Sequence, residues 1–202
     1  RFPLALTLDP LGASMEVYPT LVNLQQDSAE AGSAGMLTVE QCLAALEDCC
    51  APIVNISGGE PLEYPEIANL TREILARGKH LFLNTDGSLI RRRLHMIPPE
   101  TNFFWNVRLD GTAKVHDKRS GQDGLYTEAL DGIKAAKNAG FFVVVTTAVY
   151  PDTDVDDVAQ LFETLHNMHV DGYFLEPVYV SGWLSGKYNG NFRVELQKRF
   201  CG

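Results

Sequence analysis

Long apolar runs are missing from this 202-residue chain: no stretch approaches the ~20 consecutive apolar residues of a membrane-spanning helix. The opening Arg1-Phe2-Pro3-Leu4-Ala5-Leu6-Thr7-Leu8-Asp9 has none of the charged, apolar, small-residue order of a secretion signal. Cations are scarce, with 17 Lys and Arg against 26 Asp and Glu and a formal net charge of −9. That balance removes the electrostatic basis for gripping nucleic-acid phosphates or an anionic lipid surface. Cysteine is scarce too. Cys42, Cys49, Cys50 and Cys201 are too few for a secreted disulfide scaffold, and no pair has the two-to-four-residue gap of a metal knuckle. The histidines, His80, His95, His116, His166 and His169, are scattered; His166 and His169 could share a helix face but lack further ligands. The expectation is a cytoplasmic protein with no membrane span, no nucleic-acid partner, no metal ligands and structural thiols. Arg1 in place of Met is what a processed or excised piece would show.

What is present is alternation. Short β-rich apolar runs at 4–8, 53–56, 81–83, 103–109, 142–149 and 173–175 alternate with helical periodicity near 39–49, 65–77, 88–95, 125–138 and 155–169. Thr38 with Gln41 three residues on is a capping-box signature, Asp152-Thr153-Asp154 precedes the last helix, and Gly78 and Gly140 stand where left-handed caps belong. Most strand runs read as apolar on both faces, the pattern of parallel strands covered on two sides. Repeated βαβ units with right-handed crossovers predict one α/β parallel sheet, open or curled into a barrel, over residues 1–178. Functional groups then gather after the C-terminal strand ends, in loops 9–13, 57–61, 84–87, 110–124, 150–152 and 176–182. Residues near 24–36 read as a flexible insert. Residues 179–202 read as a tail with a short helix at 192–200, the start of a truncated region.

After the second run comes Ser57-Gly58-Gly59-Glu60-Pro61-Leu62. Paired glycines let a ligand approach bare backbone, and the proline stiffens Glu60 before it. A carboxylate there repels phosphate and suits an ammonium or hydroxyl group, and neither P-loop nor dinucleotide spacing is present. The competing reading is a tight turn with Glu60 as a helix-start acid. Asn84-Thr85-Asp86-Gly87 follows the third run, Arg108-Leu109-Asp110-Gly111 closes the fourth, and His116-Asp117-Lys118-Arg119 lies just beyond. Three successive strand ends thus offer polar groups on one rim. Arg91-Arg92-Arg93 reads as a solvated helix face, and Phe103, Phe104 and Trp105 read as strand packing.

In order and spacing, Gly-Gly-Glu-Pro, then Asn-Thr-Asp-Gly, then Leu-Asp-Gly with His-Asp-x-Arg resembles the radical S-adenosylmethionine (SAM) superfamily. Within it, the run from Leu37 to about Val178 is most similar to the adenosylhopane synthases of hopanoid biosynthesis. Leu37-Thr38-Val39-Glu40-Gln41-Cys42, Ala51-Pro52-Ile53-Val54, Pro65-Glu66-Ile67, Gln122-Asp123-Gly124, Ile133-Lys134-Ala135-Ala136-Lys137 and Val170-Asp171-Gly172 carry that narrower likeness. The resemblance implies a partial (β/α)6 TIM-like barrel holding a small molecule, SAM, at its top, with room for a protein partner. It implies that Glu60 and the Gly58–Gly59 backbone, stiffened by Pro61, receive the methionine amino group, and that Asp110 or its neighbours reach the ribose. Arg119 would pair with the methionine carboxylate, and Thr146 with Glu176-Pro177 would border the sugar and adenine. A turn acid for Asp110, a solvated cation for Arg119 and strand packing for Thr146 stay open beside those roles.

The resemblance also implies a four-iron, four-sulfur (4Fe-4S) cluster on Cys-x3-Cys-x2-Cys in the loop after the first strand, leaving one iron open for the methionine groups. Here Asp9-Pro10-Leu11 matches the strand end, but Ser14, Tyr18 and Leu21 stand at the thiolate positions. An alkyl group cannot bind iron, and a neutral hydroxyl replaces a soft thiolate poorly. Three readings follow. The chain is a radical-SAM-like domain that keeps a SAM-shaped pocket without radical chemistry; or an adenosyl-transferring enzyme of hopanoid biosynthesis whose loop is altered or misassigned; or a cluster-free barrel enzyme using Glu60, Asp110 and His116 as acid–base groups.

Overall fold

Six strands pair in sequence order, every neighbour parallel: β1 (Ala5–Leu8), β2 (Ile53–Ile56), β3 (His80–Thr85), β4 (Phe103–Arg108), β5 (Phe142–Val149) and β6 (Gly172–Pro177). They curl into a half-barrel. The computed structural model describes residues 3–12, 35–150 and 152–178. The expected tail, nearly all of the 24–36 insert, and Ser14, Tyr18 and Leu21 lie outside those residues. The connections carry α1 (Val39–Cys49), α2 (Ile67–Ala76), α3 (Ile90–Arg93), α4 (Ala113–Ser120), α5 (Leu125–Asn138) and α6 (Val155–Asn167). Among the described residues, no helix is long and apolar enough to cross a membrane.

Local chemistry sets the helix ends. Thr38 Oγ1 accepts from the Gln41 N–H while the Gln41 side chain accepts from the Thr38 N–H, closing the capping box of α1. The Asp154 side chain caps α6 through the Asp156 N–H. The expected helix at 88–95 is one α-turn followed by a 3-10 turn, Leu94–Met96, because Pro98 bars the residue before it from continuing. The expected loop 110–124 contains α4, eight residues with only His116 buried. A helix with so narrow an apolar stripe leaves no periodicity in the sequence.

The expectation that most strands are apolar on both faces is corrected. In β2, β3 and β4 one face is buried under the helices, with Val54, Ile56, Leu81, Leu83, Phe103, Trp105 and Val107 nearly inaccessible. The other, concave face is half-open and carries Asn55, Phe82, Asn84, Phe104, Asn106 and Arg108. Only β5 is buried on both faces along most of its length. Phe103 and Trp105 meet edge to face at 5.0 Å in the helix-covered core, while Phe104 stacks on Phe82 at 4.7 Å on the concave side. The two faces therefore have different tasks, packing on one and access on the other.

The β3–α3 turn is pressed against α5 where two side chains are absent. A Cβ on Gly132 would collide with the Gly87 carbonyl oxygen, and one on Gly87 would crowd Ala129 at 3.0 Å in a backbone already at φ +88°. Glycine inside a helix normally costs about 1 kcal/mol relative to alanine. Here the sign reverses: Gly132→Ala should destabilise the chain by about 1–3 kcal/mol in urea unfolding, and a variant as stable as wild type would refute this close packing.

Candidate functional site

Because every strand is parallel, all six C-terminal ends lie on one rim, and the polar turns found in the sequence meet there. The chain leaves that rim after Gly12 and returns at Gly35; the Leu37 N–H donates to the Pro10 carbonyl at 2.9 Å, so both ends of the intervening stretch are held beside β1. The Tyr64 hydroxyl donates to the Leu37 carbonyl and fastens the returning segment to the turn after β2.

Gly58 and Gly59 follow β2 at φ +89° and +54°, where a side chain is strained. A Cβ on Gly58 would strike the Asp9 carboxylate, so Asp9 lies against the bare backbone. Pro61 opens a 3-10 turn, Pro61–Glu63, and Glu60 caps it: Oε1 accepts from the Leu62 N–H at 2.9 Å. Oε2 accepts from the Thr85 hydroxyl at 2.8 Å and from the Asp86 N–H at 3.0 Å. Glu60 therefore braces the turn after β2 to the turn after β3, and the helix-start reading and the site reading describe one residue. A carboxylate offers about four lone-pair positions, so one on Oε1 is left for a ligand. Burial pushes Glu60 up to about 7, with Asp86 adding to the rise and the three donors opposing it.

At the ends of β4 and β5, Asp110 is buried and its Oδ1 accepts from the Ala148 N–H at 2.9 Å. Arg108 Nε donates to the same carboxylate at 3.1 Å, and Arg108 Nη2 lies 3.1 Å from the Tyr150 hydroxyl. Asp110 is thus the clamp between two strands and the anchor of a guanidinium. Arg119 is held by Asp152 at 3.1 Å and lies over the Tyr150 ring at 4.1 Å, so its charge already has an anionic partner and an aromatic face. The strand cation on the concave face is Arg108, which the sequence reading named at the strand end without a ligand role; its place two residues from Asn106 in the same strand was the available signal.

His116, expected as a rim acid or base, serves the turn from behind. Its Nδ1 accepts from the Asp110 N–H at 3.2 Å, and Nε2 is buried without a partner among the described residues. Burial lowers its pKa, favouring the uncharged ring, with Asp110 and Asp117 opposing. Asp117 caps α5 by accepting from Gly124 and Tyr126 N–H groups, and these bonds lower its own pKa. Asp157 of α6 accepts from both the N–H and the hydroxyl of Thr112. His-Asp-x-Arg is therefore a set of tethers rather than a converging acid–base group.

Lower on the concave face runs a chain of amides. The Thr146 hydroxyl donates to Asn106 Oδ1 at 2.8 Å, and Asn106 Nδ2 donates to Asn84 Oδ1 at 2.6 Å. Beneath it Phe82, Phe104, Phe142 and Phe174 form an aromatic floor; Phe142 and Phe174 remain 38% and 47% exposed. Glu176 and Pro177 end β6, with Glu176 opposite Ala148.

An acceptor position on Glu60, the bare Gly58–Gly59 backbone and the Arg108 guanidinium are groups of the kind an amino-acid nucleoside engages. Among the described residues the cysteines are not grouped to hold an iron–sulfur cluster, and the loop after β1, where the resemblance places its ligands, lies outside them. Cys42 is buried in the core, where burial raises its thiol pKa. Cys49 and Cys50 end α1, just before β2 begins and so at the opposite rim, each thiol directed to a carbonyl of its own last turn. Among the described residues no three His, Cys, Asp or Glu side chains could together hold a metal.

Residues 25–165 match the family model for the radical SAM superfamily. The chain is 29% identical over 170 residues to the Fe-coproporphyrin III synthase of Methanosarcina barkeri, covering 81% of this chain and 42% of that protein. It is 26% identical over 159 residues to GTP 3',8-cyclase 1 of Mycobacterium tuberculosis, covering 73% and 44%. The chain thus spans less than half the length of these relatives. Among solved structures, SuiB of Streptococcus suis bound to S-adenosylmethionine superposes with a TM-score of 0.66 at 15% identity, over 98% of this chain and 45% of SuiB, a likeness of fold.

The raised Glu60 pKa has a stability consequence. Between the ordinary glutamate range and about 7 the folded chain holds a proton that the unfolded chain has released, so stability falls as pH rises through that window. Between pH 5 and 8 the wild-type unfolding free energy should fall by on the order of 2 kcal/mol more than that of Glu60→Gln, whose cost is independent of pH. Parallel pH profiles for the two proteins would exclude the assignment.

Proposed function

Because the chain belongs to the radical SAM superfamily, we propose that it binds SAM at the C-terminal rim of its half-barrel and that its own cysteines do not build the cluster that starts radical chemistry. The observation that carries this is a separation. The Gly58–Pro61 turn, its brace to Thr85 and Asp86, and the Arg108–Asp110 pair are intact at the rim, whereas no cysteine precedes Cys42 and those on α1 lie in the core or at the far rim. Glu60 Oε1 and the Gly58–Gly59 backbone suit the methionine amino group. Arg108 suits the carboxylate better than Arg119 by its place, on the concave face of β4 rather than on α4; each guanidinium has a carboxylate partner, Asp110 and Asp152. Asp110 acts on the ligand through Arg108 and the β5 backbone, and Thr146 through Asn106.

The finer reading, kinship with adenosylhopane synthase, rests on the sequence runs between Leu37 and Val178. The curated relatives described above carry names from porphyrin and GTP chemistry. One feature favours a hopanoid enzyme with an altered loop: the floor of Phe82, Phe104, Phe142 and Phe174 suits a polycyclic hydrocarbon. Acid–base catalysis by Glu60, Asp110 and His116 has the least support, since their hydrogen bonds engage them in three separate tethers.

Anaerobic reconstitution followed by iron and sulfide analysis, run beside thermal unfolding with SAM, separates these readings. The expected result is far less than the roughly four irons per chain of an intact cluster, together with a Tm rise of about 5–10 °C at a hundredfold excess of SAM over its Kd. About four irons and four sulfides per chain would overturn the missing anchor; an unmoved Tm at millimolar SAM would overturn the pocket.

A further inference from the structure

Three consecutive strands, β2, β3 and β4, each place an asparagine on the concave face, and two of these amides are joined to a threonine on β5. The connection has a direction. The Thr146 hydroxyl donates to Asn106 Oδ1, which leaves the Asn106 amino group to donate, and it does so to Asn84 Oδ1. Asn84 Oδ1 has then used one of its two lone pairs. The Asn84 amino group has no partner among the described residues, and the residue is only half-buried on the open face just below the Glu60 brace. An asparagine amide has two N–H donors and one carbonyl. A flip of Asn84 alone would set its amino group against that of Asn106, so with Asn106 donating the Asn84 amino group is the part turned to the open face.

We infer that Asn84 is the donor that selects the ligand's nucleoside half, with Asn106 and Thr146 as positioning residues that keep its amino group turned to the open face. This rests on the SAM reading of the rim and deepens it. Of the parts of SAM, the ammonium is a donor matched to the Glu60 turn, and the carboxylate is matched to Arg108. The neutral acceptors, ribose oxygens and adenine ring nitrogens, belong to the nucleoside, and a neutral amide donor is their counterpart. A ligand lacking an acceptor at that point leaves the Asn84 amino group desolvated and unpaired, which disfavours it.

Asn84→Asp is the discriminating variant, because it keeps the acceptor that Asn106 uses and removes only the donors. Its new charge would attract a sulfonium, so binding is measured by calorimetry with S-adenosylhomocysteine, whose sulfur is uncharged, as well as with SAM. Loss of one neutral donor should weaken S-adenosylhomocysteine binding about five- to thirtyfold. Thr146→Val, which releases Asn106, should weaken it about two- to tenfold, and Thr146→Ser, which restores the hydroxyl, should bind like wild type. A Tm within a few degrees of wild type confirms that Asn84→Asp retains the fold; should it fall, Thr146→Val beside Thr146→Ser tests the same donor without altering Asn84. Wild-type binding of both compounds that is unchanged in Asn84→Asp and Thr146→Val overturns this inference alone. A wild-type chain that takes up neither compound overturns the SAM reading and this inference with it.

Discussion

The two-residue period of a β-strand governs this molecule. Parallel strands can be joined only by crossovers, and the crossovers here put helices on one side of the sheet, so each strand has a packed face and an open one. Leu81, Leu83, Trp105 and Val107 take the packed phase; Asn84, Asn106 and Arg108 take the other. A register slip of one residue in β4 would bury a guanidinium and expose an indole. The open face can therefore be polar only because the covered face is nearly unbroken hydrocarbon.

The rim is held by side chains crossing from one loop to the next. Glu60 ties the turn after β2 to that after β3, Asp110 ties β4 to β5, His116 supports the Asp110 peptide, and Asp157 reaches from α6 to Thr112. Each bond satisfies a backbone N–H that the strand end would otherwise leave unpaired in a partly buried setting. Acids and a histidine that resemble a catalytic cluster in the sequence are therefore largely the framework of the rim.

Much of the fold was legible. The strands at 53–56 and 142–149 and the helices at 39–49 and 125–138 agree with the structure residue for residue, because turn residues and caps mark their limits. α4 was illegible, since one buried residue makes no periodicity. At the site, the Gly-Gly-Glu-Pro turn was visible as a local pattern, whereas its partners, Thr85 and Asp86, are about twenty-five residues away and linked to it only through the sheet register. Arg108 and Asn84 stood in the strand-end motifs without a ligand role, and Asn106 was passed over, because attention to strand ends set aside polar residues inside strands. An Asn in the open phase of each of three successive strands is a pattern that a period-two reading can find.

The hydrogen bond between Leu37 and Pro10 closes the neck of the excursion that leaves β1 at Gly12 and returns at Gly35. Closing a loop costs entropy that grows only slowly with its length, and the neck is made by residues outside the excursion. Because that bond joins two backbone groups, a peptide N–H and a carbonyl, the closure does not depend on which side chains the sequence carries between them.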